Sequence, residues 1–599
     1  MKILLVGINA KYIHSNLAIR SLRSYASDYM ESIDLAEYTI NQYTDDILMD
    51  IYRKKPDFIG FSCYLWNLGM VKKLCRELRK ILPDVLLWLG GPEVSYDPEE
   101  ILKELDCANG IMCGEGEETF HELLCYYMEK KGSLRDIKGI CFRSRERSRA
   151  FPDNESVESD ELIRTSVRQE MDMNALPFPY EELKDLENKI IYYESCRGCP
   201  YSCSYCLSSE RKKVRFRDLD KVKEELSIFL KAKVPQVKFV DRTFNCNHGH
   251  AMAIWQFLKE NDNGITNFHF EIAGELLRED ELGLLKTLRE GLIQLEIGVQ
   301  SANEVTLGAI HRVMSLEKIK EVVAKIQEGR NIHVHLDLIA GLPYEDYASF
   351  RTSFNEVYAM KPDQLQLGFL KVLKGSSLYG EKDLWGIVYQ DEPPYEVLYT
   401  NWISYDEILL LKKIESMVEG YYNSGQFEYS LQYLMKFFET PFDLLLELSG
   451  YYEEQGLFLL NSSRMGRYDA LLSFFLKYEK GKIEEERLAE EAEVLKCLMV
   501  HDLYLREKLK SRPSFAEDFE SYKKRYQAFY QDRDRLFGYL KEERSTEEIK
   551  GRLHIEHYPF DLKESAEKGR AVRRDYYILY DYKHRNPLNK QAEQMIIDL

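Results

Sequence analysis

The stretch Tyr193–Leu207, YESCRGCPYSCSYCL, holds four of the chain's twelve cysteines. Three of them, Cys199, Cys203 and Cys206, stand at a C-x3-C-x2-C spacing. A short loop with this spacing can turn three thiolates toward one point, and thiolates are the ligands iron–sulfur clusters prefer. Three protein sulfurs on a four-iron cube leave one iron open to another ligand. Zinc sites instead show paired C-x2-C or Cys/His sets with a fourth protein ligand, and no second pair follows here. The spacing predicts a 4Fe-4S cluster.

Tyr205 precedes the last cysteine, Arg197-Gly198 stands in front of the motif and Pro200-Tyr201 lies inside it. With these neighbours the loop resembles the signature of the radical S-adenosylmethionine superfamily. The resemblance implies that the open iron is chelated by the amino and carboxylate groups of S-adenosylmethionine. It also implies that the reduced cluster cleaves that cofactor to a 5′-deoxyadenosyl radical, with Tyr205 against the adenine. Cys196 is extra and is expected beside the cluster, not on it.

Around the loop, over residues 188–375, strand-like runs alternate with helical patterns: Ile190–Glu194, Val237–Asp241, Phe268–Ala273, Ile293–Val299, Val334–Ile339 and Leu365–Leu370. Six such units predict a partial (β/α)6 barrel, as the resemblance also implies. Within Ile293–Gln300 the apolar residues take alternate positions, with Gln294, Glu296, Gly298 and Gln300 between them. His269 with Glu271, His333 with His335 and Asp337, and Gln364 with Gln366 repeat the alternation. Successive strand residues face opposite sides, so the polar set is expected to line an interior that closed barrels fill with apolar groups. Such a lining suits a cavity for polar ligands, because unpaired buried polar groups are costly. Glu271, Gln300, Arg312 and Asp337 fall in contexts (FEIAGE, IGVQS, IHRVM, LDLIAGLP) similar to radical enzymes of the coproporphyrinogen-dehydrogenase type. That similarity implies contacts with S-adenosylmethionine, with Ser301 adding a hydrogen bond. Asp241–Cys246 is expected at the barrel mouth.

Residues 1–142 alternate short apolar runs with amphipathic helices, which predicts a flavodoxin-like parallel sheet with its ligand at the carboxyl ends of the strands. The loops there carry Asn9-Ala-Lys-Tyr-Ile-His14, Ser62-Cys-Tyr64, Gly90-Gly91-Pro92-Glu93 and Gly114-Glu115-Gly116-Glu117. Ahead of a radical loop this pattern resembles a cobalamin-binding domain, and the resemblance implies cobalamin contacts at Ser62, Gly90, Gly91 and Gly114. The Asp-x-His-x-x-Gly found in many such domains is replaced by Asn9-Ala10-Lys11, so no imidazole ligand from that motif is expected; His14 is the alternative.

Residues 143–187 read as a connector carrying Pro152, Pro177 and Pro179, and residues 376–599 as a mainly helical domain. The basic, tyrosine-rich stretch Arg570–Lys590 is expected to form a solvated β-hairpin edge. A net charge of −19 argues against broad affinity for nucleic acid, and no run approaches the roughly 18 apolar residues of a membrane span. Scattered cysteines suit a reducing cytoplasm. Together these features predict a cobalamin-dependent radical S-adenosylmethionine enzyme, reduced by a donor such as flavodoxin or ferredoxin, that methylates an unactivated carbon of a polar organic substrate. The alternatives are radical cyclisation or rearrangement, RNA modification with the tail as a dock, and a non-catalytic iron–sulfur and corrinoid binding protein.

Overall fold

The computed structural model describes the chain apart from residues 145–160, 182, 211–212, 461, 519, 521 and 541–548. Its first sheet is built from β1 (Ile3–Asn9), β2 (Ile33–Thr39), β3 (Phe58–Ser62), β4 (Leu86–Gly90) and β5 (Gly110–Met112), parallel in the order β2-β1-β3-β4-β5. Every residue of β1 and β3 is buried, as a sheet covered by helices on both faces requires. The strand order reverses between β1 and β3, which opens a crevice at their carboxyl ends. Two antiparallel strands, β6 (Ile140–Arg143) and β7 (Leu162–Arg164), widen the sheet to seven. β7 falls inside the stretch expected as a connector, so that part of it is sheet. Residues 145–160, with Pro152, lie outside the described residues. Phe178 and Tyr180 pack on Phe229 of the following barrel at ring distances of 5.3 and 5.7 Å.

The second sheet opens with β8 (Ile191–Tyr193). β9 (Cys196–Arg197) then pairs antiparallel with β10 (Arg215–Phe216) and closes the cysteine loop at its base. β11 (Gln236–Phe239), β12 (Asn267–Ile272), β13 (Ile293–Gln300), β14 (His333–Ala340) and β15 (Gln364–Phe369) complete a six-stranded parallel sheet in the order β15-β14-β13-β12-β11-β8. On β13 the apolar residues are fully buried against the helices, and their polar neighbours on the opposite face are only partly covered. Register sets Glu271 beside Glu296 and Glu296 beside His335.

A short hairpin, β16 (Val388–Tyr389) and β17 (Val397–Tyr399), leads into the helices Tyr405–Met417, Glu428–Leu434, Pro441–Glu454, Arg464–Glu479 and Glu485–Arg506. Ile408, Leu411, Ile414 and Val418 are all buried, and one apolar core runs from the barrel through these helices. The chain ends in an antiparallel sheet of β18 (Leu553–Phe560), β19 (Arg573–Arg585) and β20 (Ala592–Ile597). The expected hairpin edge over 570–590 is corrected here: β19 is the middle strand, and its Tyr577–Asp581 are buried. Arg573, Arg574, Lys583, His584 and Arg585 are exposed toward its two ends. Among the described residues, no helix is long and apolar enough to cross a membrane.

Asp502, buried in the helix Glu485–Arg506, accepts the Tyr429 N–H at 3.1 Å, the Ser430 N–H at 2.9 Å and the Ser430 hydroxyl at 2.7 Å. It thereby satisfies donors at the start of the helix Glu428–Leu434. Burial pushes its carboxyl up to about 7 against these hydrogen bonds. Asp502→Ala leaves the donors buried and unmet, and is expected to cost about 2–3 kcal/mol, read as an earlier urea midpoint.

Candidate active site

The cysteine loop is held by its backbone. Ser204 N–H donates to the Ile310 carbonyl at 2.9 Å, and the Ser204 carbonyl accepts from Leu378 N–H at 2.8 Å. Gly198 has φ +101°, and a Cβ there would stand 2.5 Å from the Lys213 carbonyl oxygen, so glycine is required for the loop to cross the strand paired with it. Below the loop, Asp241 is fully buried and accepts the N–H groups of Ser195 at 2.8 Å and Cys196 at 2.9 Å, together with the Ser195 hydroxyl. Burial pushes its carboxyl up to about 7 against the pull of these donors. Thr243 Oγ1 stands 3.4 Å from Cys199 Sγ.

Cys199, Cys203 and Cys206 are free thiols that line one cavity of about 260 Å³. Tyr205, Glu271, Gln300, Arg312 and Asp337 line the same cavity. Cys196 lies outside that lining set, buried beneath the loop. Gln300 sits in the left-handed region at φ +72°, a strained setting for a residue with a Cβ. Gly298 makes room for it, since a Cβ there would lie 2.2 Å from Gln300 Nε2. Arg312 donates to the Gly298 carbonyl at 2.7 Å and lies over the Tyr201 ring at 5.5 Å. Gln300 Oε1 and Arg312 Nε are buried without a hydrogen-bond partner, as a site awaiting a polar ligand would leave them. Ser301 is a correction. It is fully buried outside the cavity lining, and its hydroxyl donates to Glu345 Oε1 at 2.7 Å.

The inward polar residues expected from the alternation, joined by Lys238, complete the wall. Glu296 Oε2 accepts from Lys238 Nζ at 3.0 Å and lies 2.8 Å from His269 Nε2. Burial favours the neutral acid, but the His269 hydrogen bond and the Lys238 ammonium hold the Glu296 carboxyl down at about 2. Burial raises Glu271 and Asp337 instead. His335 Nε2 stands 3.0 Å from Asp337 Oδ1, which raises the imidazole although burial opposes its charge. Lys238, between Val237 and Phe239, shows the same alternation that marked Glu296 and could have been found from it.

The carboxyl end of the first sheet meets the base of the cysteine loop. Arg197, two residues before Cys199, meets Glu194 at 2.8 Å, Glu117 at 2.5 Å and Glu115 at 3.5 Å. Glu115 and Glu117 belong to the loop after β5, so ion pairs tie that loop to the base of the cysteine loop. Gly91 has φ +115°, and a Cβ there would lie 2.5 Å from the Cys63 carbonyl; the close approach of the β3 and β4 loops already demands glycine. Gly90 packs on Met112, and Gly114 N–H donates to Ser95 Oγ at 3.2 Å. Ser62 Oγ accepts from Asn16 Nδ2 at 3.1 Å. His14 Nδ1 is paired with the Tyr192 hydroxyl at 2.6 Å, so that nitrogen is already committed. Beside these groups Tyr64 and Trp66 stack at 4.6 Å, a flat apolar surface at the crevice.

Comparison with known proteins agrees with this geometry. Residues 3–124 match the B12 binding domain, residues 193–357 the Radical SAM superfamily, and residues 383–580 a family described as protein of unknown function (DUF4080). The chain thus carries a B12-binding domain in front of a radical S-adenosylmethionine domain. A 4Fe-4S cluster, S-adenosylmethionine and cobalamin are the cofactors of that pairing. The free thiols and unmet polar atoms fit the first two, and the crevice with its aromatic stack fits the third. Cobalamin-dependent radical SAM methyltransferase TokK of Streptomyces tokunonensis is 25% identical over 391 residues, which is 58% of this chain and 52% of TokK. Anaerobic magnesium-protoporphyrin IX monomethyl ester cyclase of Rubrivivax gelatinosus is 21% identical over 362 residues, 59% of this chain and 64% of the cyclase. The chain thus spans about half the length of TokK. The solved structure of cobalamin-dependent S-adenosylmethionine radical enzyme OxsB with aqua-cobalamin bound shares the fold, with a TM-score of 0.58 at 14% identity over 89% of this chain and 84% of OxsB.

Asp241→Ala frees two backbone N–H groups directly beneath the cysteines. It is expected to destabilise the loop by about 2–4 kcal/mol and to lower the iron bound per chain after anaerobic reconstitution. Iron content at wild-type level in a folded variant would show that the loop does not need this clamp.

Proposed function

We propose that the protein transfers a methyl group to an unactivated carbon of a polar small molecule held in the barrel cavity. The observation that carries this reading is the tie between Arg197 and Glu115 and Glu117, which joins the carboxyl end of the B12-binding sheet to the base of the loop whose Cys199, Cys203 and Cys206 line the cavity. When bound, the cluster and S-adenosylmethionine supply a 5′-deoxyadenosyl radical and cobalamin a transferable methyl group. On this reading Cys199, Cys203 and Cys206 hold the cluster, Gln300 and Arg312 satisfy polar groups of S-adenosylmethionine, and Glu271 and Asp337 take its hydroxyl and amino groups. Ser62, Gly90, Gly91 and Gly114 border the cobalamin crevice. The polar wall positions the ligands in the barrel, and a donor such as flavodoxin or ferredoxin supplies the electron. The name of TokK supports methyl transfer. The cyclase relative supports a second reading, ring closure without methyl transfer.

An anaerobic assay separates the two. Reconstituted, reduced protein with cobalamin is expected to form both 5′-deoxyadenosine and S-adenosylhomocysteine from S-adenosylmethionine, and Cys203→Ala neither. Deoxyadenosine without S-adenosylhomocysteine favours ring closure. Neither product from wild type with its cluster intact overturns both.

A further inference from the structure

We propose that Arg242 binds an anionic group of the substrate, a carboxylate or a phosphate, at the mouth of the barrel. The proposal rests on reading the cavity as the substrate site, and it adds the chemical class of what enters.

Arg242 follows β11 and lines the cavity. Its backbone is rigidly mounted: Asp241 on one side is clamped to Ser195 and Cys196, and Thr243 on the other donates its hydroxyl to the Arg242 carbonyl at 2.9 Å. Asn245 is locked to Ala273 by two hydrogen bonds of 2.9 Å. The side chain, by contrast, is 57% exposed, and its single ion pair among the described residues is with Glu271 at 4.0 Å. At 4.0 Å this pair is beyond hydrogen-bond distance, so it leaves the guanidinium's donors for another acceptor.

Of the other cations near the cavity, Lys238 is held by Glu296 at 3.0 Å and Arg197 by three carboxylates, while Arg312, bonded to the Gly298 carbonyl at 2.7 Å, is the one the proposed function gives to S-adenosylmethionine. The charge of Arg242 also reaches Tyr64, whose phenol burial pushes up to about 12 against that pull. Arg242 therefore lines the cysteine cavity with its side chain largely exposed, at the mouth through which a substrate enters. A guanidinium offers a planar fork of donors that fits carboxylate or phosphate in bidentate fashion.

The test uses full-length protein reconstituted with cluster and cobalamin. Inorganic phosphate and glutarate are titrated calorimetrically in the presence of S-adenosylmethionine, against wild type, Arg242→Gln and Arg242→Lys. Wild type is expected to bind at least one probe saturably, Arg242→Gln to weaken it about tenfold or more, and Arg242→Lys to recover part of the loss. Whichever probe binds more tightly identifies the anion. Equal affinity in wild type and Arg242→Gln, or no saturable binding of either probe by wild type, overturns the proposal. So does a matching loss of S-adenosylmethionine affinity in Arg242→Gln, which would assign the arginine to that cofactor's carboxylate. The product assay reads independently: an Arg242-dependent anion site in a chain that forms no S-adenosylhomocysteine defeats the methyl-transfer reading and leaves the anion site standing.

Discussion

The meeting of Arg197 with Glu194, Glu115 and Glu117 is the interaction on which the arrangement of the two α/β units depends. All four side chains are largely buried. Charges taken out of water cost several kcal/mol each unless they are well paired, so none of them can leave without stranding the others. β-Pairing sets Arg215 directly opposite Arg197, and two like charges across a ladder repel. Glu115 resolves this by accepting from Arg215 and standing 3.5 Å from Arg197. The cysteine loop and the B12-domain loop are thus fixed to each other by groups that would be destabilising apart.

The same logic governs the barrel interior. Six strands point polar residues inward, where most parallel barrels place Val, Ile and Leu. The charges are mutually compensated: Lys238 and His269 answer Glu296, and Asp337 answers His335. Beside the cysteines, Gln300 Oε1 and Arg312 Nε are left unpaired, and deeper in the barrel so is His333 Nδ1. The rim at the cysteines therefore carries polar capacity available to ligands.

Much of this was legible in the sequence, because strand alternation has period two and leaves little choice. Once Ile293, Leu295 and Ile297 are assigned to the helices, Glu296 and Gln300 must face inward. The cysteine spacing in the same local way foretold that Cys199, Cys203 and Cys206 would face one cavity. Ser301 misled because a motif context says nothing about Glu345, 44 residues further on, to which its hydroxyl donates. Arg570–Lys590 misled because exposed ends flank a buried centre, and only a third strand, β20, makes that centre interior. The Arg197 tie to the first sheet was invisible for a related reason: Glu117 lies 80 residues upstream, and no local pattern encodes the pairing.

Domain boundaries drawn along the chain also conceal how the open barrel survives. A six-stranded sheet that does not close has two edges, and exposed edges invite pairing with other chains. Both are covered here by other parts of the molecule. At β8, Ile190 N–H donates to the Ile13 carbonyl at 2.6 Å and the Ser15 hydroxyl to the Ile190 carbonyl at 2.8 Å, so a loop of the first sheet acts as a partner strand. At β15, Asn423 imitates a strand with its side chain, accepting the Leu365 N–H and donating to the Leu365 carbonyl, both at 2.9 Å. Tyr422 adds a bond to the Pro362 carbonyl just before that strand. The helical third of the chain shares its core with the barrel and caps one of its edges. Whatever else it contributes, it is a structural part of the barrel that holds the cysteines.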